Sequence, residues 1–312
     1  MRVFIEFNMW LASLLMFSFG TRWGYFCARR AAWFVWTFMP RLRNTALRNV
    51  DMCLPELPQA ERTRIARKSF DHVAYVFFEF VLIPKNLGGD KWKQVCTLDE
   101  SLAPYFDFVK QGKAPLTAAA HHGSWEMGVH VNGMNGVKQA ALYRPGDLPI
   151  VDRWMRALRA FSHVHSIEKE GGLREMLRCV KEGMPVLGLF DQYGGDNGYE
   201  YPFFGIPTRW QADLFKVFLR RGLKMCVCKT VREGDQFKFR YSLVAMRDFP
   251  EGTEIGEVVK FYADAIEKII RDHPEQYFWL HRRFKDRRKG AKDRYKDGGK
   301  RVSAEERAEL VA

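Results

Sequence analysis

The chain has 312 residues, 47% of them hydrophobic and 28% charged, and its 50 Lys and Arg against 37 Asp and Glu give a formal net charge of +13. That composition excludes a disordered chain, and the length admits one large core or two modest ones, with one main domain expected. The positive balance calls for an anionic partner, and charge alone does not choose among nucleic acid, an acidic protein and an anionic lipid surface.

The N-terminus does choose. Residues 3–19 are largely apolar, with Glu6 and Asn8 as interruptions, and residues 31–39 add an aromatic patch of Trp33, Phe34, Trp36 and Phe38. The first stretch is slightly short of the ~20 residues that cross a bilayer comfortably, so residues 1–40 are expected to form a membrane-anchoring helix, either a tilted single span or an embedded anchor. Arg22, Arg29, Arg30, Arg41, Arg43 and Arg48 follow, which keeps the catalytic body on the cytoplasmic side and makes lipid, not nucleic acid, the anionic surface. A cleaved signal peptide is disfavoured, because only Arg2 precedes the apolar stretch and no Ala-x-Ala site follows. A buried amphipathic helix is the competing reading.

Residues 45–85 read as helical, opened by Pro58-Gln59-Ala60-Glu61-Arg62, with Ile65, Phe70, Val73, Phe77, Phe80 and Val81 recurring at roughly helical spacing. From Ala114 onward, short apolar runs alternate with helical ones. Strands are predicted at 116–120, 139–142, 186–190, 223–230 and 237–245, and helices at 148–161, 172–182, 211–221 and 255–272. Such alternation predicts an α/β fold with a mainly parallel central sheet flanked by helices. Residues 41–285 would form the catalytic domain, and 286–312, mostly charged and polar, a flexible basic tail ending in a short helix at 304–310. The six cysteines have neither disulfide nor zinc spacing, and Cys226 and Cys228 share a strand face as small core residues, which suits a reducing compartment.

The strongest local signal is His121-His122-Gly123-Ser124-Trp125-Glu126, directly after the small apolar run 114–120. A histidine can take a proton from a hydroxyl at neutral pH, and a carboxylate on its other ring nitrogen fixes the tautomer and stabilises the imidazolium. His121 is therefore the candidate base and Glu126 its candidate partner, a pairing suited to acyl transfer to an alcohol. Downstream come Tyr143-Arg144-Pro145, Phe190-Asp191-Gln192, Tyr201-Pro202-Phe203-Phe204-Gly205, and Pro274-Glu275-Gln276-Tyr277-Phe278-Trp279-Leu280-His281-Arg282-Arg283-Phe284-Lys285. In this order the set resembles the late lipid A acyltransferases of Gram-negative bacteria (lauroyl and myristoyl type), a branch of the lysophospholipid acyltransferase superfamily, from the N-terminal anchor to about Lys285.

The resemblance implies a glycerolipid acyltransferase-like fold and an enzyme of the bacterial inner membrane. It would move a fatty acyl chain from acyl carrier protein to a hydroxyl of a phosphorylated, Kdo-bearing lipid A precursor. His121 and Glu126 would match the family's H-x4-D/E motif. If a helix begins near Gly123 and Ser124, its free N–H groups become oxyanion donors, with Gly123 allowing close backbone approach. Arg144 is the other oxyanion or substrate-binding candidate, against the alternative that it merely precedes a proline at a strand end. Asp191 and Gln192 close the run 186–190, where ligands collect in α/β sheets, and are assigned to shaping the acceptor site rather than to proton transfer. His281, Arg282 and Arg283 would hold phosphate or Kdo carboxylate, or attract anionic lipid. Trp125, Met127 and Phe203 are candidates to line an acyl pocket, with core packing as the alternative. The acidic carrier protein would dock on the basic surface, and no metal or organic cofactor is expected, since the thioester carries the activation.

Other readings are weaker. Phe249-Pro250-Glu251-Gly252-Thr253 spells a glycerol-3-phosphate acyltransferase phosphate motif, but it lies too far from His121 and reads as a turn with Thr253 as helix cap. His122, Glu126 and His130 have a metal-like spacing of four, yet the zincin pattern is absent, as is Gly-x-Ser-x-Gly around Ser124. A transferase with another glycolipid or glycerolipid acceptor keeps the same chemistry, and a non-enzymatic protein binding anionic membranes is the rival of a different class.

Overall fold

The computed structural model describes residues 2–145, 149–286, 294–295 and 301–311, and the side chains of 2–19 and of 150 and 151 lie outside the description. Helices α1 (Arg2–Phe38), α2 (Pro40–Cys53), α3 (Gln59–Val81), α4 (Ile83–Leu87) and α5 (Trp92–Val95) precede β1 (Cys96–Leu98) and α6 (Ala103–Lys110). Then follow β2 (Leu116–Ala119), α7 (Trp125–Met134), β3 (Gln139–Tyr143), α8 (Pro149–Phe161), β4 (Val164–Glu168), α9 (Leu173–Lys181) and β5 (Val186–Leu189). A hairpin of β6 (Tyr199–Phe203) and β7 (Ile206–Trp210), then α10 (Asp213–Leu219), β8 (Leu223–Arg232), β9 (Phe239–Phe249), α11 (Ile255–Asp272) and α12 (Ala304–Val311), complete the order.

The seven-stranded sheet runs β1-β9-β8-β2-β5-β3-β4. β8, β2, β5, β3 and β4 are mutually parallel, and β9 reverses against β8, so the predicted α/β architecture with a mainly parallel sheet is the one observed. Alternation along β8 separates the two faces: Met225 and Val227 join the apolar cluster that includes α11, whereas Cys226 and Cys228 join the one that includes Met127 and Val131 of α7. Helices thus cover both faces, as a parallel sheet requires. Both cysteines are small core residues. β1, β4 and the β6–β7 hairpin were not predicted; β1 and β4 are short edge strands with little apolar signal of their own.

The N-terminal helix bends at Gly20, whose φ of 78° is open to glycine at little cost. Beyond the bend it lies along α3, with Tyr25 edge-on to Tyr75 at 4.7 Å and Trp36 edge-on to Phe70 at 5.1 Å between ring centroids. Trp33, Phe34 and Phe38 remain exposed. Among the described residues no helix is long and apolar enough to cross a membrane, and the apolar stretch 3–19 of the anchor expected at residues 1–40 falls on side chains outside the description. In α3, Ile65, Phe70 and Phe80 are buried as expected, but Phe77 is 71% exposed. It stands at the mouth of the main cleft. At the other end, the expected short helix is α12, and Tyr295 and Arg301 tie described tail residues to Asn49 (2.7 Å) and Asp51 of α2.

Candidate active site

The parallel register builds the site. β2 and β5 pair from Leu116↔Val186 to Ala119↔Leu189, a constant offset that, carried two residues past both strands, sets His121 beside Asp191. Asp191 is 1% exposed and accepts twice from His121, from the backbone N–H at 3.1 Å and from Nδ1 at 2.8 Å. Burial pushes the Asp191 carboxyl up, but the His121 charge and these hydrogen bonds outweigh it and leave it below the usual carboxylate range. An ionised carboxylate only accepts, so Nδ1 carries the ring proton and Nε2 holds the lone pair. The Gln192 amide nitrogen lies 3.3 Å from Nε2, and the rings of Trp125 and Phe278 flank the imidazole at 5.4 and 6.1 Å.

The ring's hydrogen-bonded carboxylate is therefore Asp191, where the sequence pointed to Glu126. Glu126 lies in the first turn of α7 and faces α8, where Arg159 grips it with Nη2 at 2.7 Å and Nε at 3.2 Å. Burial pushes the Glu126 carboxyl up, and Arg159, with smaller contributions from His130 and His121, overrides it and holds it low. The His121 charge is thus felt across space, without a hydrogen bond. Asp191 and Gln192, assigned from sequence to the acceptor site, stand against the candidate base itself.

The loop between β2 and α7 is held from beneath. Gly123 N–H donates to the Gln276 carbonyl at 2.9 Å and Ser124 N–H to the Thr230 carbonyl at 2.8 Å, while the His121 carbonyl accepts from Phe278 N–H at 2.9 Å. Neither the Gly123 nor the Ser124 N–H is then free for an oxyanion, which corrects that expectation. Gly123 has φ of 59°, and a Cβ there would overlap the Thr230 carbonyl, so only glycine fits. Ser124 Oγ donates to Glu79 Oε2 at 2.9 Å. Glu79 is paired twice by Arg232, whose Nη1 meets His72 Nδ1 at 2.7 Å, and His72 Nε2 donates to the Gly123 carbonyl at 3.1 Å. Glu79, His72 and Arg232 are all buried. Sequence reasoning did not single out these residues or Arg159. The only signal for Glu79, His72 and Arg232 was a polar or charged residue inside the more apolar stretches of α3 and β8, and Arg159 is one of several charged residues of α8.

The basic triplet after the aromatic run does not form the expected anion cluster. His281 Nε2 accepts from Tyr193 N–H at 3.3 Å, and burial drops its pKa to about 4, so the ring is neutral near pH 7. Arg283 is buried, donating to Thr208 Oγ1 and the Arg209 carbonyl and stacking 4.3 Å over Trp210. Arg282 stacks on Tyr295 at 5.4 Å. The metal-spaced residues are likewise engaged: His122 Nε2 donates to the His273 carbonyl at 2.9 Å, His130 Nδ1 meets Ser162 Oγ at 2.8 Å, and Glu126 holds Arg159. Thr253 bonds the Pro250 carbonyl at 2.7 Å inside a turn, and the residue capping α11 is Glu254 rather than Thr253.

His121, Trp125, Glu126, Arg144 and Gln192 line a cleft of about 810 Å³, with an apolar wall that includes Leu142, Met155, Leu189 and Leu214. That size is in the range of cavities that enclose small-molecule ligands. Met127 and Phe203 are buried in the core and do not line it.

The model of the family described as bacterial lipid A biosynthesis acyltransferase matches residues 1–286. The chain is 26% identical over 265 residues to the lipid A biosynthesis lauroyltransferase of Escherichia coli (strain K12), covering 83% of this chain and 84% of that one. It is also 26% identical over 263 residues to the lipid A biosynthesis palmitoleoyltransferase of the same strain, covering 83% of each. A lipid A biosynthesis acyltransferase of Haemophilus influenzae is 25% identical over 249 residues, 78% of this chain and 77% of that one.

Proposed function

Because the chain belongs to the bacterial lipid A biosynthesis acyltransferases, we propose that it moves a fatty acyl group from acyl carrier protein to a hydroxyl of a Kdo-lipid A precursor, with His121 as general base. The observation that carries this reading is the His121 ring, held through Nδ1 by Asp191 with Nε2, 3.3 Å from the Gln192 amide nitrogen, at the wall of a partly apolar cleft. Nε2 takes the hydroxyl proton as the alkoxide oxygen attacks the thioester carbonyl, and Asp191 stabilises the imidazolium that forms. When the tetrahedral intermediate collapses, the C–S bond breaks and the imidazolium returns its proton to the departing thiolate, which leaves an ester and a free thiol. Glu126 adds negative potential near the ring, and its pairing with Arg159 keeps it ionised. The Gln192 amide beside Nε2 supplies an N–H donor for the reacting oxygens.

The thioester needs no metal or organic cofactor for this step. Residues 1–40 serve as the membrane anchor, with the exposed Trp33, Phe34 and Phe38 at the lipid interface and the arginines beyond them keeping the body on the cytoplasmic side of the inner membrane. Phe77, exposed at the cleft mouth, offers an apolar edge for an entering chain.

The test is incubation of membranes containing the protein with labelled acyl carrier protein donor and tetra-acylated Kdo-lipid A precursor, followed by mass analysis. A product heavier by one acyl group is expected, and His121→Ala should lower its rate by at least ~100-fold while the fold survives. Transfer only to a glycerolipid would move the acceptor assignment, and wild-type rates in His121→Ala would remove the base.

A further inference from the structure

We propose that Arg144 and Lys169 together form a subsite for a phosphate-class oxyanion carried by one of the substrates, an inference that rests on the acyl-transfer reading of the cleft. β3 and β4 pair in parallel up to Tyr143↔Glu168, and Lys169 N–H extends the ladder by donating to the Tyr143 carbonyl at 2.8 Å. One step further the register sets Arg144 and Lys169 side by side, at the ~4.8 Å spacing of neighbouring strands. Both line the cleft that holds His121. Two cations juxtaposed this way repel, and an anion between them converts that repulsion into attraction to both.

The local acids do not neutralise the pair. Glu126 is committed to Arg159 at 2.7 Å and Asp152 to Arg156 at 3.0 Å. Glu170 also lines the cleft, but among the described residues no carboxylate is within ion-pair distance of Arg144 or Lys169. Among the described residues the Lys169 ammonium bonds only the neutral Gln211 side-chain oxygen. Burial lowers its pKa, and the opposing pull of Asp213, which pairs with Lys216, and of Glu170 does not offset it. Lys285, 5.0 Å over the Tyr193 ring, brings a third positive charge to the same cleft. The positions fit the general rule that ligands gather beyond the carboxyl ends of parallel strands. A phosphate on the glycolipid acceptor and the phosphodiester of a carrier-bound thioester arm share this chemistry.

Calorimetric titration of the purified full chain in detergent with inorganic pyrophosphate reads the subsite without turnover. Lys169→Met and Arg144→Met should each weaken binding about tenfold or more, and Lys169→Arg should restore it to within about threefold. In steady-state transfer the loss should fall on KM more than on kcat. A rise in KM for the phosphorylated acceptor, absent with a dephosphorylated one, assigns the anion to the acceptor, and a rise in KM for the carrier-bound donor assigns it to the donor arm. Unchanged pyrophosphate affinity in both Met variants overturns the subsite. Weakened affinity in a protein that transfers no acyl group would uphold the subsite and bring down the acyl-transfer reading instead.

Discussion

Replacing Asp191 by Asn decides which carboxylate steers the His121 ring. The amide has the shape of the carboxylate and fills the same buried position, so the fold should survive. What changes is the pattern of donors and acceptors. Asp191 accepts from the backbone N–H at 3.1 Å and from Nδ1 at 2.8 Å, whereas Asn offers one oxygen and one NH2. With the oxygen kept on the backbone N–H, the NH2 faces Nδ1, which must become the acceptor, and the ring proton shifts to Nε2, the nitrogen that should be taking the substrate's proton. The lost charge-assisted bond alone is worth about 1.5–3 kcal/mol, or about 10- to 150-fold in rate. Reversing the tautomer adds to this, as in His–Asp triads where the same exchange costs about 10⁴ in kcat. For this geometry we expect kcat to fall about 10³-fold, measured by single-turnover transfer from labelled acyl carrier protein, in a protein that still melts cooperatively. An Asp191→Asn protein that melts like wild type and retains its rate within about fivefold would refute the argument that Asp191 orients the base.

Glu126→Gln leaves the tautomer intact but strands the 5% exposed Arg159, so a loss of about 3–5 kcal/mol in stability is expected; a denaturant series reads it, and Glu126→Gln with Arg159→Met should recover most of it. Gly123→Ala drives a Cβ into the Thr230 carbonyl at a left-handed φ, and should yield little soluble protein by size-exclusion chromatography. Ser124→Ala removes one bond from the buried Glu79 and should cost about 1–3 kcal/mol in a urea series, with Ser124→Thr milder. Burial holds His122 at about 3 and His130 at about 4, so between the unfolded pKa of ~6.5 and those values the unfolded chain binds protons that the native one refuses. Stability should therefore decline as pH falls from about 6.5 toward 4, whereas the contribution of the lowered Asp191 and Glu126 carboxyls is full above about pH 4 and is lost only below it. A urea midpoint that stays flat from pH 6.5 to 4 would contradict the buried neutral histidines. Transfer from acyl carrier protein should slow steeply with salt if the basic surface guides docking, and equal sensitivity with a short neutral thioester would remove that explanation.

Much of the layout was legible because it is local. The runs around 116–120, 186–190 and 223–230 carry the apolar pattern of buried parallel strands, and the helices at 172–182 and 255–272 carry a sided one; the observed β2, β5, β8, α9 and α11 fall on them. What the pattern does not carry is the order of strands across the sheet. β5 slots between β2 and β3, and only that adjacency brings Asp191 to His121 across 70 residues of chain. Spacing along the chain favoured Glu126 for the same reason it misled: five residues separate the pair, but a strand end and a helix start point their side chains differently. Arg282 and Arg283 were likewise read by composition as an anion site. The aromatic surroundings that made the triplet look like a ligand cradle are what buries Arg283 against Trp210.

The two carboxylates near the proposed base do different physical work because they are solvated by different things. Among the described residues Asp191 has no cationic side chain within ion-pair distance except the His121 ring, so its charge is balanced at contact when that ring is protonated, the state the proposed general base passes through. Glu126 is already balanced by Arg159 and needs nothing from the ring. Beneath both, Glu79 and Arg232 form a closed pair whose hydrogen bonds run to Ser124 and, through His72, to Gly123. A buried pair of this kind is a poor source of net stability but a strict geometric constraint. It is spent here on the five-residue loop that carries the proposed base, so that the ring is fixed from one side by the sheet register and from the other by a buried charge network that does not line the cleft.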